Sequence, residues 1–164
     1  MVCLGGSCDI GMFERIMLCL DERDPGKPGV AQALRLAQSM DARLFVVTVL
    51  SPIASPVATD PAAATCKPPR RFRRRRTPDP ASEREETAWC RLYEIEDDCF
   101  DLNVKSSLLL ETGDRDERVL SLIESYQLDA LAIGTRSVSG WEALIERCPV
   151  PVILLRQRET AAIT

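Results

Sequence analysis

The stretch LAIGTRSVSGWEALIERCPVPVILLR, Leu131 to Arg156, decides the predicted fold. Its pattern is typical of a buried strand, a turn, a short helix and a second buried strand. In α/β proteins, the turn that follows a parallel strand is where a phosphate usually binds. This turn contains almost no glycine. The stretch therefore indicates either a nucleotide site or a nucleotide site that has lost its phosphate loop.

The rest of the chain supplies further buried strands. Continuous apolar runs of strand length predict strands at Arg15–Asp21, Arg43–Leu50, Val104–Leu110, Asp129–Thr135 and Val150–Arg156. Helical patterns separate these runs. The alternation of strand and helix predicts a Rossmann-like three-layer α/β fold in which a five-stranded parallel sheet carries helices on both faces.

Periodic apolar positions and capping residues predict four helices. The first helix buries Val30, Ala33, Leu34 and Ala37. A capping box at Ser82–Glu85 opens the second, with Trp89, Leu92, Tyr93, Cys99 and Phe100 roughly on one side. Asp114 starts the third, which buries Val119, Leu120 and Ile123, and a second capping box at Ser139–Glu142 opens a short fourth helix.

Length and composition favour one globular domain without membrane segments. The chain has 164 residues, of which 45% are hydrophobic and 28% charged. No apolar run approaches the roughly 20 residues of a membrane span. The N-terminus lacks the pattern of a signal peptide, so we expect a cytoplasmic protein whose seven cysteines remain thiols.

The absence of histidine limits the chemistry. Without histidine or a C-x2-C pair, the sequence predicts no zinc site. Ser/His and Cys/His nucleophile pairs are also excluded, which argues against an enzyme. Cys19 and Cys148 are expected in the core, whereas Cys3, Cys8 and Cys66 are the candidates for reactive thiols.

Three segments carry a resemblance to a known family. They are ERIMLCLDERDPGKPGVAQALRLAQSMDARLFVVTVL, LLLETGDRDERVLSLIESYQLDALAIGT and RCPVPVILLR. In this order and spacing they resemble the universal stress protein family over about Phe13 to Arg156. We therefore expect a domain at 13–156, flexible tails at 1–12 and 157–164, and a disordered insertion at about 51–80.

Members of that family that bind ATP carry G-x2-G-x9-G-[ST] after the fourth strand, and this chain departs from the motif. Gly134 matches the first glycine, but Ser137 stands at the second, and no G-[ST] follows at the required distance. The segment is about nine residues short. Micromolar ATP binding needs about 8 kcal/mol, and losing two or three N–H contacts of roughly 1.5–3 kcal/mol each leaves an affinity nearer millimolar.

The resemblance also implies which residues would form the remaining site. Asp21 would face the adenine with Val49 beside it, while Gly113 and Gly134 would border the ribose or the first phosphate. The whole degenerate nucleotide site comprises Asp21, Val49, Gly113, Gly134, Thr135, Ser137 and Ser139. Each also has a structural explanation: Asp21 suits a turn, Gly113 suits a positive φ, and Ser139 suits a helix cap.

An arginine-rich run lies in the predicted insertion. Lys67 to Arg76 contains one lysine and six arginines: Arg70, Arg71, Arg73, Arg74, Arg75 and Arg76. Outside the run, 25 acidic residues stand against 14 basic ones. The arginines are candidates for binding nucleic acid or another polyanion. The alternative is a solvated linker that lies against the acidic helix from Glu83 to Asp98. The run contains only one aromatic residue for stacking on bases, Phe72, which favours this alternative over nucleic-acid binding.

The fifth strand is the predicted dimer edge. In a sheet of order 3-2-1-4-5 it lies at one edge, and the family resemblance implies antiparallel pairing with a symmetry mate. The edge residues are Val150, Val152, Ile153, Leu154 and Leu155. The competing explanation is that the C-terminal tail or the arginine run covers this edge.

Three functions remain in view. The first is a non-enzymatic universal stress protein that does not bind ATP tightly and acts as a homodimer on a protein partner. The second is a member that binds ATP or AMP with a remodelled loop. The third is an adaptor that binds polyanions through the arginine run.

Overall fold

The computed structural model describes residues 12–22, 27–52, 79–135 and 138–156. Several predicted features lie outside the described residues: the two tails apart from Met12, most of the insertion with all six of its arginines, Ser137, Cys3, Cys8 and Cys66. Within the described ranges the chain alternates strictly between strand and helix, as predicted. Among the helices of these ranges, none has the length and apolar character needed to cross a membrane.

Five strands and four helices form the described fold. The strands are β1 (Arg15–Leu20), β2 (Arg43–Leu50), β3 (Ser106–Thr112), β4 (Ala130–Thr135) and β5 (Val152–Arg156). The helices are α1 (Lys27–Met40), α2 (Pro80–Asp101), α3 (Arg115–Tyr126) and α4 (Glu142–Arg147). All strand pairs are parallel, in the order β3-β2-β1-β4-β5, which confirms the predicted sheet.

The central strand β1 divides the core into two halves because successive side chains of a strand point to opposite faces. Ile16 and Leu18 belong to the cluster that α1 and α2 cover. Met17 and Cys19 belong to the cluster that α3 and α4 cover. Both faces of the sheet are therefore buried, which explains why its inner strands are almost continuously apolar.

The start of α2 differs from the prediction. The helix begins at Pro80, and the side chain of Asp79 accepts a hydrogen bond of 3.3 Å from the Ala81 N–H. The predicted capping box at Ser82 is wrong because an N-cap aspartate followed by proline at the first helical position is a stronger start signal. Ser82 lies inside the helix.

The residues predicted on one side of α2 differ in burial. Leu92 and Cys99 belong to the buried stripe of the helix, together with Ala88 and Ile95. Tyr93 is 56% exposed and Phe100 is 84% exposed, so these two positions fall outside that stripe.

Smaller corrections concern other positions. The β3 strand starts at Ser106 because the Val104 N–H is bonded to the Cys99 carbonyl at the end of α2. The β5 strand starts at Val152, after the two prolines. Leu120 and Cys148 are half-buried, not core residues. Cys90, which was not singled out, is an exposed thiol.

The start of α3 agrees with the prediction. The Asp114 carboxylate accepts a hydrogen bond of 3.0 Å from the Glu117 N–H. Asp116 and Glu117 lie in the first turn, where negative charge is favoured by the helix dipole. The cap fixes the segment that follows β3 and so positions one wall of the candidate site.

Candidate functional site

A cavity of about 480 Å³ opens at the carboxyl ends of the strands. We call it the C-terminal cavity. Its wall consists of the residues that follow β1, the end of β2, the start of α3 and the segment before α4. Ligands of open α/β sheets bind at this edge, where strand order reverses between β1 and its two neighbours.

Four of the seven predicted nucleotide-site residues line this cavity. They are Asp21, Val49, Gly113 and Ser139. Gly134 and Thr135 are not among its described lining residues, and Ser137 lies outside the described ranges. The fold therefore brings Asp21, Val49, Gly113 and Ser139 to one cavity.

Gly113 is required by its backbone. Its φ is 139°, a conformation that side chains with a Cβ rarely adopt. A Cβ at this position would also lie 3.1 Å from the Arg118 Nε. The Gly113 N–H donates to the Leu50 carbonyl at 3.0 Å, so this turn holds the end of β3 against β2.

Gly134 lies where α1 crosses β4. A Cβ on Gly29 of α1 would lie 3.2 Å from the Gly134 Cα, so the helix crosses β4 with backbone nearly touching backbone. This close approach requires glycine at position 29. A Cβ on Gly134 would have its nearest neighbours at 4.0 Å, so the packing does not require glycine at position 134.

The lining of the C-terminal cavity is predominantly acidic. Asp21, Glu22, Asp114 and Asp116 contribute carboxylates, and Arg115 is the only basic residue among the described lining residues. Such a lining repels a polyanion unless cations compensate it. Of these five charged residues, Asp21 alone was predicted from the sequence as part of the site.

Arg115 is held by three contacts within the protein. Its guanidinium lies 3.8 Å from the ring centroid of Trp141. Its Nε donates to the Asp116 Oδ1 at 3.1 Å, and its Nη2 donates to the Gly140 carbonyl. Trp141 itself is almost fully buried, with 1% of its surface exposed. These contacts join the start of α3 to the segment before α4. Arg115 is distant in sequence from Trp141 and Gly140, so no local sequence pattern predicts the contacts.

The backbone N–H groups before α4 already have partners. The Gly140 N–H donates to the Glu142 carboxylate at 2.7 Å, and the Trp141 N–H donates to the Val138 carbonyl at 3.0 Å. The pKa of Glu142 is lowered because backbone N–H groups, its own and that of Gly140, stabilise the carboxylate. The predicted Ser139 cap is wrong: α4 has Trp141 at its N-cap position and no side-chain cap.

A second cavity of about 420 Å³ lies on the α2 side of Glu22. Arg84 crosses its wall to pair with Glu22, with 2.7 Å between the Arg84 Nε and the Glu22 Oε1. Arg91 donates to the Glu22 carbonyl at 3.1 Å. Both arginines of α2 are therefore engaged beside the sheet.

Across the described ranges, no group of three or more acidic or cysteine side chains is arranged to hold a metal ion.

Comparison with solved structures supports the fold. A protein from the universal stress protein family of Burkholderia pseudomallei is 21% identical, with a TM-score of 0.66, over 93% of this chain and 100% of that chain. A family protein from Arabidopsis thaliana with AMP bound is 13% identical, with a TM-score of 0.59, over 89% of this chain and 93% of that chain. A universal stress protein from Archaeoglobus fulgidus in complex with dAMP is 18% identical, with a TM-score of 0.55, over 88% of this chain and 99% of that chain.

Comparison of the sequence gives the family directly. A search of curated proteins found no match. The family model described as "Universal stress protein family" matches residues 12–156, which include every described strand and helix. The chain therefore belongs to the universal stress protein family.

Proposed function

We propose that this chain is a non-enzymatic regulatory universal stress protein that accepts the adenosine part of a mononucleotide and does not hold ATP tightly. The observation that carries the proposal is the pairing of the Gly140 and Trp141 N–H groups within the protein. In a phosphate loop such groups face the ligand. In this chain both N–H groups already donate to acceptors within the protein, the Glu142 carboxylate and the Val138 carbonyl.

Charge supports the same conclusion. The Glu142 carboxylate accepts the Gly140 N–H, so it takes the role that a phosphate oxygen has in an anion-binding loop. Arg115 is committed to Asp116, Gly140 and Trp141. Among the described lining residues of the C-terminal cavity, a polyphosphate would meet more carboxylates than cations, and each additional phosphate would increase the repulsion.

The residues assigned to the adenosine half of the site lie in one cavity. Asp21, Val49 and Gly113 share the cavity wall, as the family resemblance implies for adenine and ribose contacts. Solved relatives of the same fold contain AMP and dAMP. A mononucleotide brings only one phosphate into the acidic cavity, so we expect AMP and adenosine to bind at least as well as ATP.

Calorimetry with nucleotide-free protein tests this proposal. We expect ATP to bind with a dissociation constant near millimolar and AMP or adenosine to bind no more weakly. Asp21→Asn should reduce adenosine binding because it changes the acid assigned to the adenine. Glu124→Gln, an equal charge change on the exposed surface of α3, serves as the matched control. Micromolar ATP binding that exceeds AMP binding would contradict the proposal.

The proposal includes homodimerisation through β5. This strand has one neighbour, β4, and so forms an edge of the sheet. Leu154 is 39% exposed, and Ile153 and Val152 are half-buried. Antiparallel pairing with a second copy would satisfy the free edge and cover these side chains. A dimer of this kind would present two copies of the C-terminal cavity to a protein partner.

A further inference from the structure

The outer surface of α2 carries two exposed aromatic side chains, Tyr93 and Phe100, beside Trp89, which packs partly against the core. Tyr93 is 56% exposed, Phe100 is 84% exposed, and Trp89 is half-buried. The rings of Trp89 and Tyr93 stack with their centroids 5.6 Å apart. Spacings of four and seven residues place all three on one side of the helix. An exposed aromatic cluster of this kind marks an interaction surface.

Acidic side chains accompany the aromatic ones. Glu85 and Glu86 precede Trp89 on the exposed surface, and Glu96 and Asp97 lie between Tyr93 and Phe100. Helical spacing brings these four residues to the same side as the aromatic rings. We call the seven residues together the α2 aromatic-acidic face.

The basic residues of α2 point elsewhere. Arg84 donates to the Glu22 carboxylate, and Arg91 donates to the Glu22 backbone carbonyl, both beside β1. They lie on the flank of the helix opposite the aromatic rings, so they do not neutralise this face. The face therefore offers stacked aromatic rings next to carboxylates that neither arginine of α2 neutralises, the combination that guanidinium groups prefer.

We propose that the α2 aromatic-acidic face is a docking site for an arginine-rich peptide, and that its occupant is Lys67–Arg76 of the same chain. Charge complementarity carries the assignment, because this run holds one third of the chain's 21 basic residues in ten positions. Arginine pairs with carboxylates in a bidentate manner and stacks on aromatic rings.

The covalent connection makes the assignment geometrically feasible. The run ends three residues before Asp79, the N-cap of α2. An extended ten-residue segment spans roughly 30 Å, close to the roughly 33 Å length of a 22-residue helix. A short tether of this kind gives an effective concentration on the order of millimolar, which favours the chain's own run over a segment from another molecule.

Docking would compete with polyanion binding. Guanidinium groups that contact the α2 aromatic-acidic face cannot pair with phosphates at the same time. The face thus acts as an internal competitor for nucleic acid or heparin, and the full chain would bind such polyanions more weakly than an undocked run. This function is separate from the C-terminal cavity and does not depend on nucleotide.

A labelled synthetic peptide with the sequence of residues 67–76 tests the proposal by fluorescence anisotropy. The receptor is a full-length variant in which these residues are replaced by a Gly/Ser segment of equal length. We expect this variant to bind the peptide at least tenfold more tightly than the unaltered chain, whose face is already occupied. In the replacement variant, Tyr93→Ser combined with Phe100→Ser should weaken binding at least tenfold. Met12→Ser, which removes a 74% exposed apolar side chain elsewhere, should leave it unchanged.

Each other result overturns a defined part of the proposal. Equal peptide affinity for the replacement variant and the unaltered chain would contradict docking within one molecule. Binding that survives the double aromatic substitution would contradict the assigned face. If dilution of the unaltered chain raises its affinity for the peptide to that of the replacement variant, the run that occupied the face came from a second copy of the chain. Circular dichroism of every variant confirms that the changes at these exposed positions leave the fold intact.

Discussion

The contact between Gly29 and Gly134 leads to an asymmetric prediction. A Cβ added at Gly29 would lie 3.2 Å from the Gly134 Cα and 3.6 Å from the Leu155 carbonyl oxygen. Both atoms belong to the backbone, so no side-chain rotation relieves the contact. A Cβ added at Gly134 would have its nearest neighbours at 4.0 Å, which is ordinary van der Waals distance. Alanine should therefore be costly at Gly29 and tolerated at Gly134.

The expected magnitude for Gly29→Ala is a small difference between two terms. Forcing α1 away from β4 costs about 1–3 kcal/mol, as overpacking usually does. Replacing glycine by alanine in a helix returns up to about 1 kcal/mol. We expect a net loss of about 1 kcal/mol, and about 3 kcal/mol for Gly29→Val, which adds two methyl groups at the same contact. Gly134→Ala should stay within about 0.5 kcal/mol of the unaltered chain.

Urea unfolding measures these differences. With a denaturant slope of roughly 2 kcal/mol per molar, Gly29→Ala should lower the midpoint by roughly 0.5 M at unchanged slope. A higher midpoint for Gly29→Ala, or a larger loss for Gly134→Ala than for Gly29→Ala, would refute the packing argument. Gly134→Ala also separates stability from nucleotide binding, because a loss of AMP binding without a stability change would assign Gly134 to the ligand.

Two further predictions follow from burial. Burial raises the pKa of the Cys19 thiol to about 12 from 9.0. As the pH rises, the unfolded chain loses this proton before the folded chain does. The contribution of Cys19 to stability is therefore complete below pH 9 and falls between pH 9 and about 12. Cys19→Ala should make the free energy of unfolding, measured in urea, depend less on pH in this range. Leu154→Lys should convert a β5-paired dimer into a folded monomer in light scattering, whereas Leu155→Lys should unfold the chain because Leu155 is only 8% exposed. A wild-type chain that is already monomeric at micromolar concentration would contradict β5 pairing.

The strands were predictable because their signal is local and redundant. In β2, seven consecutive residues are buried, and the sequence Arg43–Leu50 alone identifies the strand. The Asp114 cap was likewise predictable, since capping is a contact between neighbours in sequence. By contrast, the exposure of the aromatic residues of α2 was not predictable, because hydrophobicity does not distinguish an exposed Phe100 from a buried Ile95. Which side of a helix meets the sheet is decided by tertiary packing.

Only those residues of the candidate site that the family resemblance assigns were predictable from the sequence. Asp21 and Val49 were named in advance, and both line the C-terminal cavity. The cation–π contact between Arg115 and Trp141 joins two elements that are distant in sequence, so no spacing rule reveals it. The two β4 residues, Gly134 and Thr135, match the motif in sequence, yet their environment is set by α1 packing and burial.

The engaged N–H groups of Gly140 and Trp141 have a physical cause in the packing of this segment. Trp141 belongs to the core cluster under α3 and α4, so the segment before α4 is anchored in the protein interior. Arg115 stacks on the same ring and binds the Gly140 carbonyl, which ties this segment to α3. A phosphate loop needs N–H groups that remain unpaired until the ligand arrives, and an anchored segment satisfies its own instead. A glycine at Ser137 would restore one residue of the motif but would leave this anchor in place, so core packing supports the proposed weak ATP binding independently of the missing glycines.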